Sequence, residues 1–228
     1  MLNMIKLDWL GMKYYQKRIF IMPLFIFLYG FLSEAFIVLF MSYLTLVFSV
    51  NPFAVEEKGK LDNLYLTLPV TRKTIVRARF GLSLIMQFAG LIVGIIVTII
   101  YARLLYGREV IYTHTFKANF DTMFLTVCTS LLFYAVMNLS IFPILFKLGY
   151  AKGKAVGFFM PVAGICAAII FIFTLWQFKG AFRAFILSAH KWALANAVIT
   201  AVLMLAAAAL ILAFSYTLSY KVYAKREF

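Results

Sequence analysis

Long runs of residues without a formal charge restrict how this chain can fold more than any other feature of its sequence. A helix needs about 20 residues to cross the roughly 30 Å hydrocarbon core of a bilayer. Five of the six runs reach that length, and the first is shorter, at 15 residues. The sequence therefore predicts an all-α integral membrane protein with six transmembrane helices. The runs are residues 19–33, 35–55, 80–102, 122–146, 155–178 and 192–220.

The first run is long enough to span only if its helix begins near Tyr14, so that Lys17 and Arg18 reach toward the headgroups. The alternative is a re-entrant hairpin that this run forms with the second one. Composition supports a membrane protein in either case, because 65% hydrophobic and 13% charged residues lie far outside the soluble range.

Lys and Arg residues are distributed unevenly between the two sides of the membrane. With six spans, sixteen fall on one side and six on the other, so both termini and residues 51–80 are predicted to be cytoplasmic. A net charge of +14 then reflects basic flanks that face anionic headgroups, and no nucleic acid is expected as a partner. The six residues of the outer side are Arg103, Arg108, Lys117, Lys179, Arg183 and Lys191.

Two segments outside the spans have amphipathic spacing. Residues 1–18 alternate an apolar face that includes Leu2 and Trp9 with a polar face that includes Lys6 and Lys13, which predicts an interfacial helix. An ordinary basic flank before the first span is the alternative. Between the fifth and sixth spans, Phe178, Phe182 and Phe185 predict a short helix at the outer interface.

Residues 51–80 form the longest polar segment of the chain. Within it, Leu61, Leu64, Tyr65 and Leu68 form an apolar stripe, and the opposite face carries Glu56, Lys60, Asn63 and Thr67. Pro69 ends this helix, and Thr71 can cap a second helix that leads into the third span. The segment is interpreted as a docking element for a soluble protein, and an interfacial helix followed by stop-transfer charges is the alternative.

Catalytic motifs are missing from the sequence. Glu56 and Glu57 form the only acidic pair, but His114 and His190 map to the opposite side of the membrane, so no metal site is expected. The chain has no HExxH, GxSxG or GxxxxGK[ST] motif, which indicates neither an enzyme nor a P-loop ATP site. Cys128 lies in an apolar run, as does the second cysteine, Cys166, and neither has the setting of a disulfide or a metal ligand.

Polar residues inside the second run are candidates for the lining of a transport pathway. The alternative is that they pack helices together. They are Ser42, Tyr43, Thr45 and Ser49.

The order of these features resembles the membrane subunits of ABC-2 type ATP-binding-cassette exporters, in particular bacterial permeases that export phenol-soluble modulins and other amphipathic peptides. The six-span layout agrees over the whole chain, and a stretch of about thirty residues has the local pattern. In this family a lysine is common where Arg79 stands. The residues with the local pattern are Glu56, Glu57, Lys58, Leu61, Asp62, Leu64, Tyr65, Leu68, Pro69, Val70, Thr71, Arg72 and Lys73.

The resemblance implies a single ABC-2 transmembrane domain over residues 1–228, with an interfacial helix at 1–18, a cytoplasmic coupling segment at 56–79 and an outer element, re-entrant or interfacial, at 177–191. It makes residues 56–68 a coupling helix set into a cleft of an ATPase subunit. The residues expected to couple to that ATPase are Glu56, Glu57, Lys60, Leu61, Leu64, Tyr65, Leu68, Pro69 and Arg72.

The resemblance also implies a bacterial plasma-membrane exporter that moves a hydrophobic or amphipathic substrate outward by alternating access. ATP and Mg²⁺ would bind the partner ATPase, and this chain would bind no cofactor. A second permease subunit, identical or a paralogue, would meet the chain along the first, second and fifth spans. From the residues alone, a self-sufficient secondary carrier and a membrane assembly factor remain open.

Overall fold

The computed structural model describes residues 2–12, 34–59, 71–106, 120–178 and 180–225. Every regular element in these ranges is an α-helix, which confirms the all-α prediction. The first predicted span and the apolar stripe of the docking segment lie outside the described residues. The helices are α1 (Leu2–Met12), α2 (Glu34–Ser49), α3 (Asn51–Gly59), α4 (Arg72–Tyr106), α5 (Phe120–Phe178), α6 (Gly180–Ala195) and α7 (Ala197–Ala224).

Four stretches within the described ranges are long and apolar enough to cross a membrane. They coincide with the second, third, fourth and sixth predicted spans. Residues 155–178 continue α5 as a helix, and the count of six spans stays a prediction. The four stretches are Ile37–Glu57, Arg72–Ile100, Met123–Gly153 and Ala197–Ala224.

The polar segment, residues 51–80, begins at a helix boundary. The sequence predicted that its helix begins later, at Glu56. α2 ends at Ser49, Val50 forms a turn, and α3 begins at Asn51. Pro52 explains the break, since its nitrogen cannot donate a bond back into α2 but is tolerated in a first helical turn. The second candidate span, Ile37–Glu57, therefore contains a helix break, and the helix expected to begin at Glu56 already starts at Asn51.

α5 is interrupted at one glycine. A straight helix of its 59 residues would be about 88 Å long, nearly three times the hydrocarbon thickness. Gly149 has φ 75° and ψ −178°, a backbone conformation that side chains with a Cβ rarely adopt. The single break therefore separates the fourth predicted span from the fifth.

α2 packs against α4 through small residues. Gly90 of α4 lies against Thr45 of α2, and an added Cβ at Gly90 would overlap the Thr45 methyl group. Thr45 cannot easily turn away, because its hydroxyl lies 2.9 Å from the Ser42 carbonyl and 2.5 Å from Gln87 Oε1 and shares its one hydrogen between these acceptors. Glycine at this position thus sets the distance between the two helices, as is common in membrane bundles.

A buried aromatic cluster lies where α3 ends, α4 begins and α7 ends, called here the polar end. Aromatic rings from α3, α4, α5 and α7 meet edge to face. Centroid distances are 4.9 Å for Phe53–Phe146, 4.9 Å for Phe80–Phe142 and 5.2 Å for Phe146–Tyr223. Such edge-to-face pairs add roughly 0.5–1.5 kcal/mol each beyond the burial of their area. The polar end is therefore a well-packed base for the helices that leave it.

The four candidate spans differ in how far the rest of the chain encloses them. Ile37–Glu57 is 61% buried and Ala197–Ala224 only 22%. The second span, expected to meet another subunit, is thus the most enclosed of the four by the chain's own helices. Among the described residues, Ile92 of α4 and Leu210 of α7 are strongly exposed.

Candidate coupling site at the polar end of the bundle

A buried ion pair joins α3 to α4. Arg79 Nη2 donates to Glu56 Oε2 at 2.5 Å, and the two side chains are 1% and 6% exposed. The Arg79 guanidinium also lies 4.1 Å from the centroid of the Phe53 ring and 5.7 Å from that of Phe146. A carboxylate and two aromatic faces together offset the cost of removing the cation from water. The last turn of α3 is therefore fixed to the base of the third span.

Asp8 brings α1 to the same place. Asp8 is 5% exposed, and its Oδ2 has no hydrogen-bond partner among the described residues. Burial raises the pKa of the Asp8 carboxyl above its usual value, and the nearby charge of Arg79 opposes that rise. Met4, one turn earlier, is also buried, so one face of α1 packs into the polar end.

The raised pKa of Asp8 predicts a pH dependence of stability. The neutral acid is favoured in the folded chain, so the contribution of Asp8 is fully present below its unfolded pKa of 3.8 and is lost as pH rises through the folded pKa. We expect Asp8→Asn to unfold at a higher temperature than the wild type in detergent at about pH 8, and the difference to shrink toward about pH 4.

The exposed charge Lys6 on the same helix provides the control, since Lys6→Gln should show no such pH-dependent difference. A difference between Asp8→Asn and the wild type that widens toward low pH would contradict the prediction. Titration of acids distant from Asp8 cancels in this comparison, because both proteins contain them.

Glu57 connects α3 to α5. Its Oε2 accepts a hydrogen bond from the backbone N–H of Ala151 at 2.6 Å. Ala151 follows the break at Gly149, so this N–H belongs to a first helical turn, which has no acceptor within its own helix. Glu57 therefore caps the second half of α5 from another helix and meets the positive end of its dipole.

Two arginines connect α4 to α7. Arg72 Nη1 donates to the carbonyl of Ala224, the last residue of α7, at 2.5 Å. Arg77 Nε donates to the Tyr216 hydroxyl at 3.3 Å.

The Thr71 hydroxyl accepts from the backbone N–H of Thr74 at 3.3 Å, which confirms the predicted cap of the helix that enters the third span.

Three of the nine residues predicted to couple to an ATPase lie in the described ranges, and the structure brings all three to the polar end. Glu56 does not occupy the solvated face on which the helical wheel placed it, and this detail of the prediction was wrong. The reason is its pairing with Arg79, a cation buried in the core that attracts a counter-charge inward. The other six, outside the described residues, are Lys60, Leu61, Leu64, Tyr65, Leu68 and Pro69.

Two of the four candidates for pathway lining, Ser42 and Thr45, join α2 to α4 in this structure. Gln87 Nε2 donates to the Ser42 hydroxyl at 2.8 Å, Thr45 is bonded to the same glutamine, and the Ser49 hydroxyl donates to the Leu46 carbonyl at 2.7 Å. The contacts with Gln87 agree with the packing alternative for Ser42 and Thr45, whereas the Ser49 bond lies within α2. Tyr43 is half-buried, and the transport role of all four stays a prediction.

Sequence reasoning missed two buried amides that organise the bundle. Gln87 bridges α2 and α4, and Asn138 of α5 accepts a hydrogen bond from the Ser215 hydroxyl of α7 at 3.0 Å. Both are uncharged, so a search for charges inside the apolar runs passed over them. A search for Asn and Gln in those runs finds both.

Among the described residues, no group of three His, Cys, Asp or Glu side chains could hold a metal ion.

Comparisons with known proteins identify the family of the chain. Searches of curated proteins and of solved structures gave no match. The family model described as "ABC-2 family transporter protein" matches residues 3–224. A match of that extent, together with four apolar helices long enough to span, makes this chain a multi-pass membrane protein of the ABC-2 transporter family.

Proposed function

We propose that this chain is the membrane-spanning subunit of an ATP-driven exporter, and that residues 60–70 dock on a cytoplasmic ABC ATPase. The observation that carries the proposal is the buried Glu56–Arg79 pair, which links the helix before the docking segment directly to the third span. Membership of the ABC-2 family supports a transporter subunit that leaves ATP hydrolysis to a partner.

Both flanks of the docking segment are anchored in the bundle, which supports a role in transmitting force. On the N-terminal flank, α3 is held by the Glu56–Arg79 pair and by the bond from Ala151 to Glu57. On the C-terminal flank, α4 is held by the bond from Arg72 to Ala224. A displacement of residues 60–70 would thus move the bases of α4, α5 and α7 together.

These contacts divide the predicted coupling residues into two roles. Glu56, Glu57 and Arg72 are positioning residues that transmit movement inside the chain. The apolar stripe that begins at Leu61 and continues through Leu64 and Tyr65 is the surface that meets the ATPase. ATP and Mg²⁺ would bind that partner.

A complete transporter would contain a second permease subunit, identical or a paralogue, in a bacterial plasma membrane with both termini cytoplasmic. The enclosed position of Ile37–Glu57 favours α4 and α7 for a larger share of the subunit contact than the second span. We propose outward movement of a hydrophobic or amphipathic substrate, with peptides as the candidate class.

If a reading frame for an ABC ATPase adjoins that of this chain, co-expression of the two proteins tests the proposal. We expect the two proteins to co-purify in detergent, and we expect transport in proteoliposomes to require ATP. Transport by the purified chain alone in a proton or sodium gradient would instead establish the secondary-carrier alternative. Loss of a larger complex on deletion, with no transport in either assay, would favour an assembly factor.

A further inference from the structure

An apolar groove runs between α1 and the third span. Its walls are Ile5, Lys6, Trp9 and Leu10 of α1 and Leu82 and Ile85 of α4, and it encloses about 300 Å³. Leu82 is buried at its floor, whereas Ile85, Trp9 and Leu10 are 54%, 48% and 67% exposed along its open side. This volume lies at the lower end for small-ligand sites and suits part of one acyl chain rather than a whole lipid.

The groove lies at the depth at which phospholipid chains begin. Arg77 is exposed, and Leu82 and Ile85 lie about 7.5 and 12 Å farther along the axis of α4 at 1.5 Å per residue. An exposed Arg is most stable at headgroup level, so the groove opens to the outermost part of the hydrocarbon. Interfacial helices bury their apolar face about 5–10 Å into the same region.

The rim of the groove has the chemistry of a headgroup site. Among the described residues that line the groove, Lys6 is the one with a charge; its apolar stem borders the groove, and because the residue is exposed its ammonium group can reach a phosphate. Trp9 supplies an apolar ring with an N–H donor, the combination that settles at the boundary between headgroups and chains. The Asp8 side chain is buried in the core and away from this rim, so it does not offset the positive charge of Lys6 at the groove.

We propose that this groove is a binding site for an anionic membrane phospholipid, with one acyl chain between α1 and α4 and the phosphate on Lys6. Basic pockets beside membrane helices on the cytoplasmic side are suited to such headgroups. The lipid would fasten the outer face of α1 to the third span, while Met4 and Asp8 hold its inner face to the core. The inference does not depend on the ATPase partner or on the substrate.

Fluorescence quenching with brominated lipids tests the site directly. The chain has three tryptophans, so Trp176→Phe combined with Trp192→Phe leaves Trp9, in the groove wall, as the only reporter. The protein would be reconstituted in phosphatidylcholine with rising fractions of dibrominated phosphatidylglycerol or dibrominated phosphatidylcholine. We expect half-maximal quenching of Trp9 at an about fivefold lower fraction of the anionic lipid.

Lys6→Gln should abolish that preference and leave quenching by phosphatidylcholine unchanged. Lys73→Gln, which removes an exposed charge of α4 outside the groove, is the matched control and should keep the preference. Equal quenching by both lipids in the parent protein would mean ordinary annular lipid and would overturn the proposal. Quenching by neither lipid would mean that another segment of the chain fills the groove, and a preference that survives Lys6→Gln would remove Lys6 from the site.

Discussion

Replacement of Arg79 by Ala is expected to lower the free energy of unfolding by about 3–5 kcal/mol, because the buried carboxylate of Glu56 loses the guanidinium that faces it. The variant also loses the contact between the Arg79 cation and the Phe53 ring. For a chain of this size the loss corresponds to a fall of roughly 10 °C in the unfolding midpoint. The unfolding midpoint is measured by heating the detergent-solubilised protein and monitoring the remaining folded fraction by size-exclusion elution.

Arg77→Ala is the matched control for this prediction. Arg77 is exposed, two residues earlier on the same helix, and its bond to Tyr216 lies at the surface, so we expect a loss below about 1 kcal/mol. A double variant, Glu56→Leu with Arg79→Met, should recover much of the loss because it removes both buried charges. The assignment fails if Arg79→Ala and Arg77→Ala unfold at the same temperature.

Replacement of Leu64 by Asp is expected to abolish ATP-dependent transport while the chain still inserts in the membrane. The proposed docking stripe would then place a carboxylate at the centre of an apolar contact, where loss of one central anchor costs about 2 kcal/mol or more. That loss corresponds to an at least thirtyfold weaker association with the ATPase. Co-purification of the ATPase, normalised to the amount of membrane-inserted chain, measures the effect.

Asn63→Asp adds the same charge one residue earlier, on the face predicted to be polar, and serves as the matched control. We expect this variant to retain the ATPase. If both substitutions release the ATPase equally, the effect comes from charge in the segment and not from the stripe. If Leu64→Asp keeps both the ATPase and transport, residues 60–70 are not the docking surface.

The fold was predictable from the sequence wherever residues close together in the chain determine the structure. An uncharged run of 23 residues leaves few alternatives to a membrane helix, and residues 80–102 form the middle of α4. The sequence predicted Thr71 as a cap because a threonine hydroxyl at that position can accept a hydrogen bond from the backbone N–H three residues later. In the structure it accepts this bond from Thr74. Both signals lie within one element, and a single sequence contains them in full.

The candidate site was predictable only in its location. Glu56 was read as a surface charge because a helical wheel considers only nearby residues, whereas its partner Arg79 is 23 positions away. The rotation of α3 that turns Glu56 toward Arg79 is set by the packing of α3 against other helices. Pairing across helices depends on that rotation and cannot be obtained from spacing alone.

The aromatic cluster shows a second limit. The sequence does not distinguish Phe53, Phe142 and Phe146 from phenylalanines that face lipid. A phenylalanine ring is similarly stable in lipid hydrocarbon and in a protein core. In the structure Phe53 and Phe146 lie against the Arg79 cation and Phe142 packs against Phe53, an arrangement that no count of aromatic residues indicates.

The bond from Arg72 to the Ala224 carbonyl has a practical consequence. It joins the first turn of the third span to the last turn of α7, so the two turns form one mechanical unit. A spectroscopic label on Lys225, which is exposed and adjoins that turn, would therefore report the position of the third span during a transport cycle. Such a label leaves residues 60–70 unmodified, so the reporter and the docking surface can be studied in the same molecule.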